Sequence, residues 1–133
     1  MSRLEYSATE NKMPVNQRIM ANLIIQASWV DSESGDTITV QGSTENLGET
    51  SALVNLDTLP PVGSEVKLRV FDEDKTIIEV PTQVIRVERD PSKPLAALSI
   101  LENVKKWKTT VLTAAQEWVA RHWKLNYEEE WVN

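Results

Sequence analysis

Apolar and polar residues alternate at a period of two along much of the chain between positions 21 and 101. This is the pattern of strands that bury one face. The first run ends in a polar loop at 31–36, after which Ile38 and Val40 resume the alternation, so the two runs predict a hairpin. The apolar positions of the first run are Ala21, Leu23, Ile25, Ala27 and Trp29.

Two further alternating runs are separated by the strong breaker Leu59-Pro60-Pro61-Val62-Gly63. Each predicts a strand, and a polar turn at 72–75 follows the second. Their apolar positions are Ala52, Val54 and Leu56, then Val66, Leu68 and Val70.

The next strand carries a change of phase. Ile78 and Val80 share one face, whereas Ile85 and Val87 form the later apolar pair. The pattern therefore slips by one residue near Pro81, which predicts a long, bent strand with a bulge. The nearly all-apolar stretch 95–101 predicts a strand that is covered on both faces.

After Glu102 the apolar period becomes helical, and the segment 102–125 contains neither proline nor glycine. The predicted fold is mainly β: a six-stranded antiparallel β-barrel over 17–101 with a C-terminal α-helix over 102–125. A flexible leader is predicted at 1–16 and an acidic tail at 126–133. The helical stripe comprises Val104, Trp107, Val111, Ala114, Trp118 and Leu125, with Ala115, Val119 and His122 beside it.

Composition and charge narrow the functional classes. The 133 residues suffice for one domain, and the absence of cysteine favours a reducing, cytoplasmic location. The N-terminus lacks the apolar core of a secretory signal, and no apolar run is long enough to span a bilayer. A formal net charge of −6 argues against non-specific binding of nucleic acid.

The sequence offers little to an enzyme. Its one histidine, His122, lies within the predicted helix, where a structural role is the usual one. No nucleophile motif, phosphate-binding loop or metal-ligand spacing is present, so we predict a protein that is not an enzyme and needs no metal or cofactor. Lys105, Lys106 and Lys108 are interpreted as a solvated face of the helix.

Tryptophan is the more informative residue type. The predicted helix of about six turns is longer than a small barrel can cover. An uncovered aromatic end is a plausible surface for a partner or a second copy. The interface residues that we predict are Trp107, Trp118, Trp123 and Trp131.

The stretch Thr44–Val54 resembles the signature region of the PilZ family, in which a strand carries Asp/Asn-x-Ser-x-x-Gly. Similar to that family are also the turn and strand at 59–68, the apolar strand at 83–87 and the helix that follows the last strand. The resemblance covers roughly residues 17 to 120 and implies a barrel that acts in cyclic di-GMP signalling.

The ligand motif is incomplete. The family's Arg-x-x-x-Arg leader is missing, and the strand motif keeps Asn46 but has Gly48 in place of serine and Ser51 in place of glycine. Charge-assisted contacts are worth about 1.5–3 kcal/mol each, so two lost arginines lower affinity by roughly two to four decades.

The resemblance therefore implies an adaptor, since some members lack the ligand motif and bind proteins instead. The alternative is a cyclic di-GMP receptor with a non-standard site made by Arg18, Asn46 and Arg86. A third possibility is an oligonucleotide-binding barrel. It ranks last because the strands hold only Phe71 and Trp29 as large aromatic residues and the chain is acidic.

Overall fold

Six antiparallel strands close into a barrel in the computed structural model, which describes residues 18–132, with side chains through His122. The spatial order is β1-β2-β3-β6-β5-β4, and β1 pairs with both β2 and β4. Closure leaves no edge strand unpaired. The predicted barrel with a C-terminal helix is confirmed. The strands are β1 (Ile24–Val30), β2 (Thr37–Leu47), β3 (Ser51–Asn55), β4 (Glu65–Asp72), β5 (Lys75–Glu88) and β6 (Leu95–Ile100).

The alternating apolar residues fill the interior of the barrel. Ile25 pairs in register with Val70, and Ala27 with Leu68, and all four side chains are buried. Trp29 also lies in the core, as its position in the first run predicts. The alternation thus translates into one continuous apolar core.

β5 follows a different phase from the one that its apolar residues predict. The inward positions continue through Pro81 to the buried Thr82 and Val84, and the bulge lies between Val84 and Arg86. Ile85, at this bulge, is 55% exposed, so the expectation that it faces the core is wrong. The reason is Thr82: its hydroxyl donates to the Val66 carbonyl at 2.8 Å, which allows a polar residue to occupy a core position.

β2 continues through Gly42, where the backbone of β3 passes so close that only glycine fits. A Cβ atom at Gly42 would lie 2.1 Å from the carbonyl oxygen of Asn55. A side chain at this position would therefore push β3 away and open the barrel wall.

A helical segment follows the barrel and closes part of its core. It begins as α1 (Val104–Trp107), passes through a π-helical segment (Lys108–Leu112) and continues as α2 (Thr113–Val132). Trp107, Val111 and Ala115 are fully buried. In the described part of the chain, no helix is both long and apolar enough to cross a membrane.

The helix extends past the predicted end at residue 125. It reaches Val132 and includes most of the segment that the sequence predicts as an acidic tail. No glycine or proline occurs after Glu102 to terminate it. The predicted leader 1–16 lies outside the described residues.

Candidate functional site

The chain segment before β1 is fixed onto β2 by backbone and side-chain hydrogen bonds. Ile19 and Leu47 exchange two backbone bonds, at 2.8 and 2.9 Å. The buried Thr44 hydroxyl donates to the Ala21 carbonyl at 2.6 Å and accepts from the Leu23 amide at 2.8 Å. These contacts place Arg18 beside the end of β2 and the turn that follows it.

The Arg18 side chain bridges two residues of the motif region. Its Nε donates to the Asn46 Oδ1 at 2.8 Å, and its Nη1 donates to the Ser51 Oγ at 2.5 Å. Gly48 makes room for this arrangement, because a Cβ there would lie 2.5 Å from the Arg18 Nη1. The guanidinium group therefore covers Gly48 and spans the turn between β2 and β3.

A second guanidinium group acts electrostatically on Arg18 at this turn. Partial burial, and secondarily repulsion from the Arg86 guanidinium, lower the pKa of Arg18 below its ordinary value. Arg86 itself pairs with Glu88. Among the residues that the structure describes, no carboxylate forms an ion pair with Arg18, whose described hydrogen-bond acceptors are both neutral. This arrangement favours an anion over a cation at the Arg18 end of the turn.

The same turn is attached to the start of the helix. The indole Nε1 of buried Trp107 donates to the Gly48 carbonyl at 2.9 Å. On the surface, the Lys108 ammonium group lies 3.7 Å from the Glu49 carboxylate. Gly48 thus has Arg18 against its Cα and Trp107 against its carbonyl oxygen, which connects the candidate site to the helix.

The structure brings together part of the predicted ligand site. Arg18 and Asn46 are in direct contact, whereas Arg86 is close enough to influence Arg18 electrostatically and makes its own contact to Glu88. Gly48 and Ser51 also belong to the site, although the sequence shows them only as departures from the family motif. Their spacing of three residues is the sequence signal for a tight turn, which the Gly48 amide closes by donating to the Ser51 carbonyl at 2.8 Å.

The four tryptophans predicted to form an interface differ in their burial and in whether the structure describes their side chains. Trp107 is fully buried, so the prediction that it meets a partner is wrong; its indole packs in the core and holds Gly48. Trp118 is half-buried and stacks on the exposed His122, with ring centroids 3.7 Å apart. The side chains of Trp123 and Trp131 lie outside the described part of the structure.

No cluster of three or more histidine and acidic residues suited to a metal ion occurs in the part of the chain that the structure describes. The site can therefore act through hydrogen bonds and charge. Its groups are the Arg18 guanidinium, which bonds to the Asn46 amide and the Ser51 hydroxyl, and the Arg86 guanidinium, which acts on Arg18 electrostatically.

Comparison with solved structures identifies the barrel. The inhibitor of motility MotI/DgrA from Bacillus subtilis superposes with a TM-score of 0.54 at 22% identity, over 80% of this chain and 49% of that protein. The chain has a PilZ-like fold. It spans about half the length of the motility inhibitor.

Two further PilZ domains align with lower scores. One belongs to CeSA of a cellulose-synthesizing bacterium, with a TM-score of 0.48 and 19% identity over 68% of this chain and 87% of that one. The other is the PilZ domain of YcgR from Escherichia coli, solved with cyclic di-GMP. Its TM-score is 0.49 and its sequence identity is 16%, over 85% of this chain and 91% of that one. No protein-family model and no curated protein matches the sequence.

Proposed function

We propose that this PilZ-like domain is a signalling adaptor that binds a protein partner through its helix and does not bind cyclic di-GMP tightly. The observation that carries the proposal is the internal use of Arg18. Its guanidinium already donates to Asn46 and Ser51 and lies over Gly48. A phosphate or guanine that bonded to the Nε and Nη1 donors would have to replace these two contacts, and such an exchange of hydrogen bonds yields little net free energy.

The missing second arginine of the leader strengthens this argument. Without it, the site offers one shared guanidinium where the family motif offers two free ones, and Arg86 is paired with Glu88. One missing charge-assisted contact of about 1.5–3 kcal/mol lowers the affinity by roughly one to two decades, and the prior engagement of Arg18 lowers it further.

The helix supplies the surface for a partner. Trp118 and His122 present a stacked aromatic pair next to the barrel, and Trp, Tyr and Arg dominate the binding energy of many interfaces. The Trp107–Gly48 hydrogen bond connects the start of the helix to the Arg18 turn.

One observation favours the alternative, a cyclic di-GMP receptor with a non-standard site. Partial burial, and secondarily repulsion from the Arg86 guanidinium, lower the pKa of Arg18, so a second positive charge acts on Arg18. A phosphate group that bonded to both guanidinium groups would relieve this repulsion.

Isothermal titration of the pure protein with cyclic di-GMP, to high micromolar ligand, separates the two functions. If the domain is an adaptor, the titration with cyclic di-GMP should give no saturable heat. Saturable binding that Arg18→Ala and Asn46→Ala abolish would establish the receptor. Arg69→Ala is the matched control, because Arg69 lies on the outer barrel wall in an ion pair with Glu79.

The partner is sought separately by affinity capture with the wild-type protein and with Trp118→Ala. A candidate is then purified and its binding measured directly. Trp118→Ala should weaken binding at least about tenfold, as removal of a central interface tryptophan does. Val62→Ala, which alters an exposed apolar residue, should not.

A further inference from the structure

A cleft of about 470 Å³ lies between α2 and the hairpin that joins β4 to β5. Its walls are formed by α2 near Trp118 and His122, by the start of β1, and by the hairpin residues Asp72, Glu73 and Asp74. None of these takes part in the contacts around Gly48.

The hairpin side of the cleft is acidic. Glu73 and Asp74 occupy the two turn positions with φ of 51° and 73°, the left-handed conformation of a tight two-residue turn. Among the described residues, none of the carboxylates of Asp72, Glu73 and Asp74 forms an ion pair. Among the described lining residues Arg121 is the one cation, so these residues together carry a net negative charge.

The helix side of the cleft is flat and aromatic. The Trp118 and His122 rings stack with an interplanar angle of 19°. The His122 ring is held in place by a 2.9 Å hydrogen bond between its Nδ1 and the Trp118 carbonyl one turn earlier. Phe71 adds a third aromatic side chain to the lining.

We propose that this cleft binds an arginine side chain of the partner protein. The planar guanidinium stacks on aromatic faces and forms paired hydrogen bonds with carboxylates, and the lining of the cleft contains both kinds of group. Lysine, a compact and strongly hydrated charge, uses the carboxylates but not the flat wall. This inference rests on the proposed adaptor function and names the chemistry of its partner.

The charge of the cleft argues against an anionic ligand there. Among the described lining residues a phosphate would meet three carboxylates and a single guanidinium, a net repulsion at short range.

The test is a titration of the full, isotope-labelled chain with N-acetyl-arginine amide, followed by amide and indole N–H NMR shifts. We expect saturable shifts at Phe71–Lys75 and at the Trp118 indole. For a ligand of this size the dissociation constant should be about 1–10 mM. N-acetyl-citrulline amide, which has the same shape without the charge, should give no saturable shift, and N-acetyl-lysine amide should bind more weakly than the arginine probe.

The double variant Asp72→Asn/Asp74→Asn should weaken arginine binding about threefold to tenfold, as expected for partly exposed charge pairs. Asparagine tolerates the left-handed conformation, so the turn is retained. Glu33→Gln, in the exposed loop between β1 and β2, is the matched control and should bind as the wild type does.

Equal shifts with arginine and citrulline, shifts confined to other acidic surfaces, or no saturation would overturn the proposal. Such a failure leaves the adaptor function intact if Trp118→Ala still weakens the binding of a purified partner protein. Conversely, tight binding of cyclic di-GMP would remove the adaptor function, while the cleft is judged by the arginine titration alone.

Discussion

At the scale of single residues, Gly48 and Ser51 are a matched pair. Relative to the family motif, the serine and the glycine have exchanged positions. A serine at 48 would collide with the Arg18 guanidinium, and a glycine at 51 would remove the hydroxyl that accepts from it. Two departures that looked independent in the sequence therefore adapt one turn to one arginine.

Replacement of Gly48 by alanine tests this pairing. The new methyl group would displace Arg18 Nη1, and the lost hydrogen bonds to Asn46 and Ser51 should lower the free energy of unfolding by about 1 kcal/mol. In an Arg18→Ala background the clash is absent, and the same change should stabilise by about 0.5 kcal/mol because alanine restricts the unfolded chain.

Urea denaturation of the four proteins of this double-mutant cycle gives the coupling energy. A reversal of sign between the two backgrounds supports the close contact. An identical effect of Gly48→Ala in both backgrounds would show that Arg18 does not occupy the space over Gly48.

Trp107 makes a second prediction at this scale. Trp107→Phe keeps an aromatic ring in the core but leaves the buried Gly48 carbonyl without its indole donor. The free energy of unfolding should fall by about 2–3 kcal/mol, from the unpaired carbonyl and the smaller side chain. Trp118→Phe, at a half-buried position, should cost less than about 1 kcal/mol in the same denaturation experiment.

At the scale of the elements, two buried threonines show where the hydrophobic pattern is incomplete. Thr82 occupies an inward position of β5, and Thr44 fastens the segment before β1 to the end of β2. The existence and order of the strands follow from period-two alternation. The phase of β5 does not, because a hydroxyl that bonds to a backbone carbonyl satisfies the core without being apolar.

The two threonines should differ in their response to valine. Thr44→Val leaves two buried backbone groups, the Leu23 amide and the Ala21 carbonyl, without a partner, and should cost about 2–4 kcal/mol. Thr82→Val leaves only the Val66 carbonyl and should cost about 1–2 kcal/mol. Hydrogen exchange at the Leu23 amide should accelerate in Thr44→Val alone; equal acceleration in both variants would contradict this assignment of contacts.

At the scale of the whole molecule, local pattern is enough to indicate a closed barrel, because closure removes unpaired edges. It is not enough to locate the candidate sites. Arg18 and Ser51 lie 33 positions apart, and Trp107 and Gly48 lie 59 apart. The turn at Gly48 and the cleft beside Trp118 arise only when β1, β2 and the helix assemble.

The barrel and the helix share one core, so the barrel should not fold alone. Trp107, Val111 and Ala115 are fully buried against the strands. Burial of a large apolar side chain contributes about 1.5–3 kcal/mol, and a domain of this kind has about 5–15 kcal/mol in total. A chain ending at Glu102 should therefore lose cooperative thermal unfolding and amide-shift dispersion, whereas full-length Val111→Ala should still unfold cooperatively at a lower temperature. A sharp transition in the truncated chain would mean that the helix is an accessory to the barrel and that Trp107 contributes little to its core.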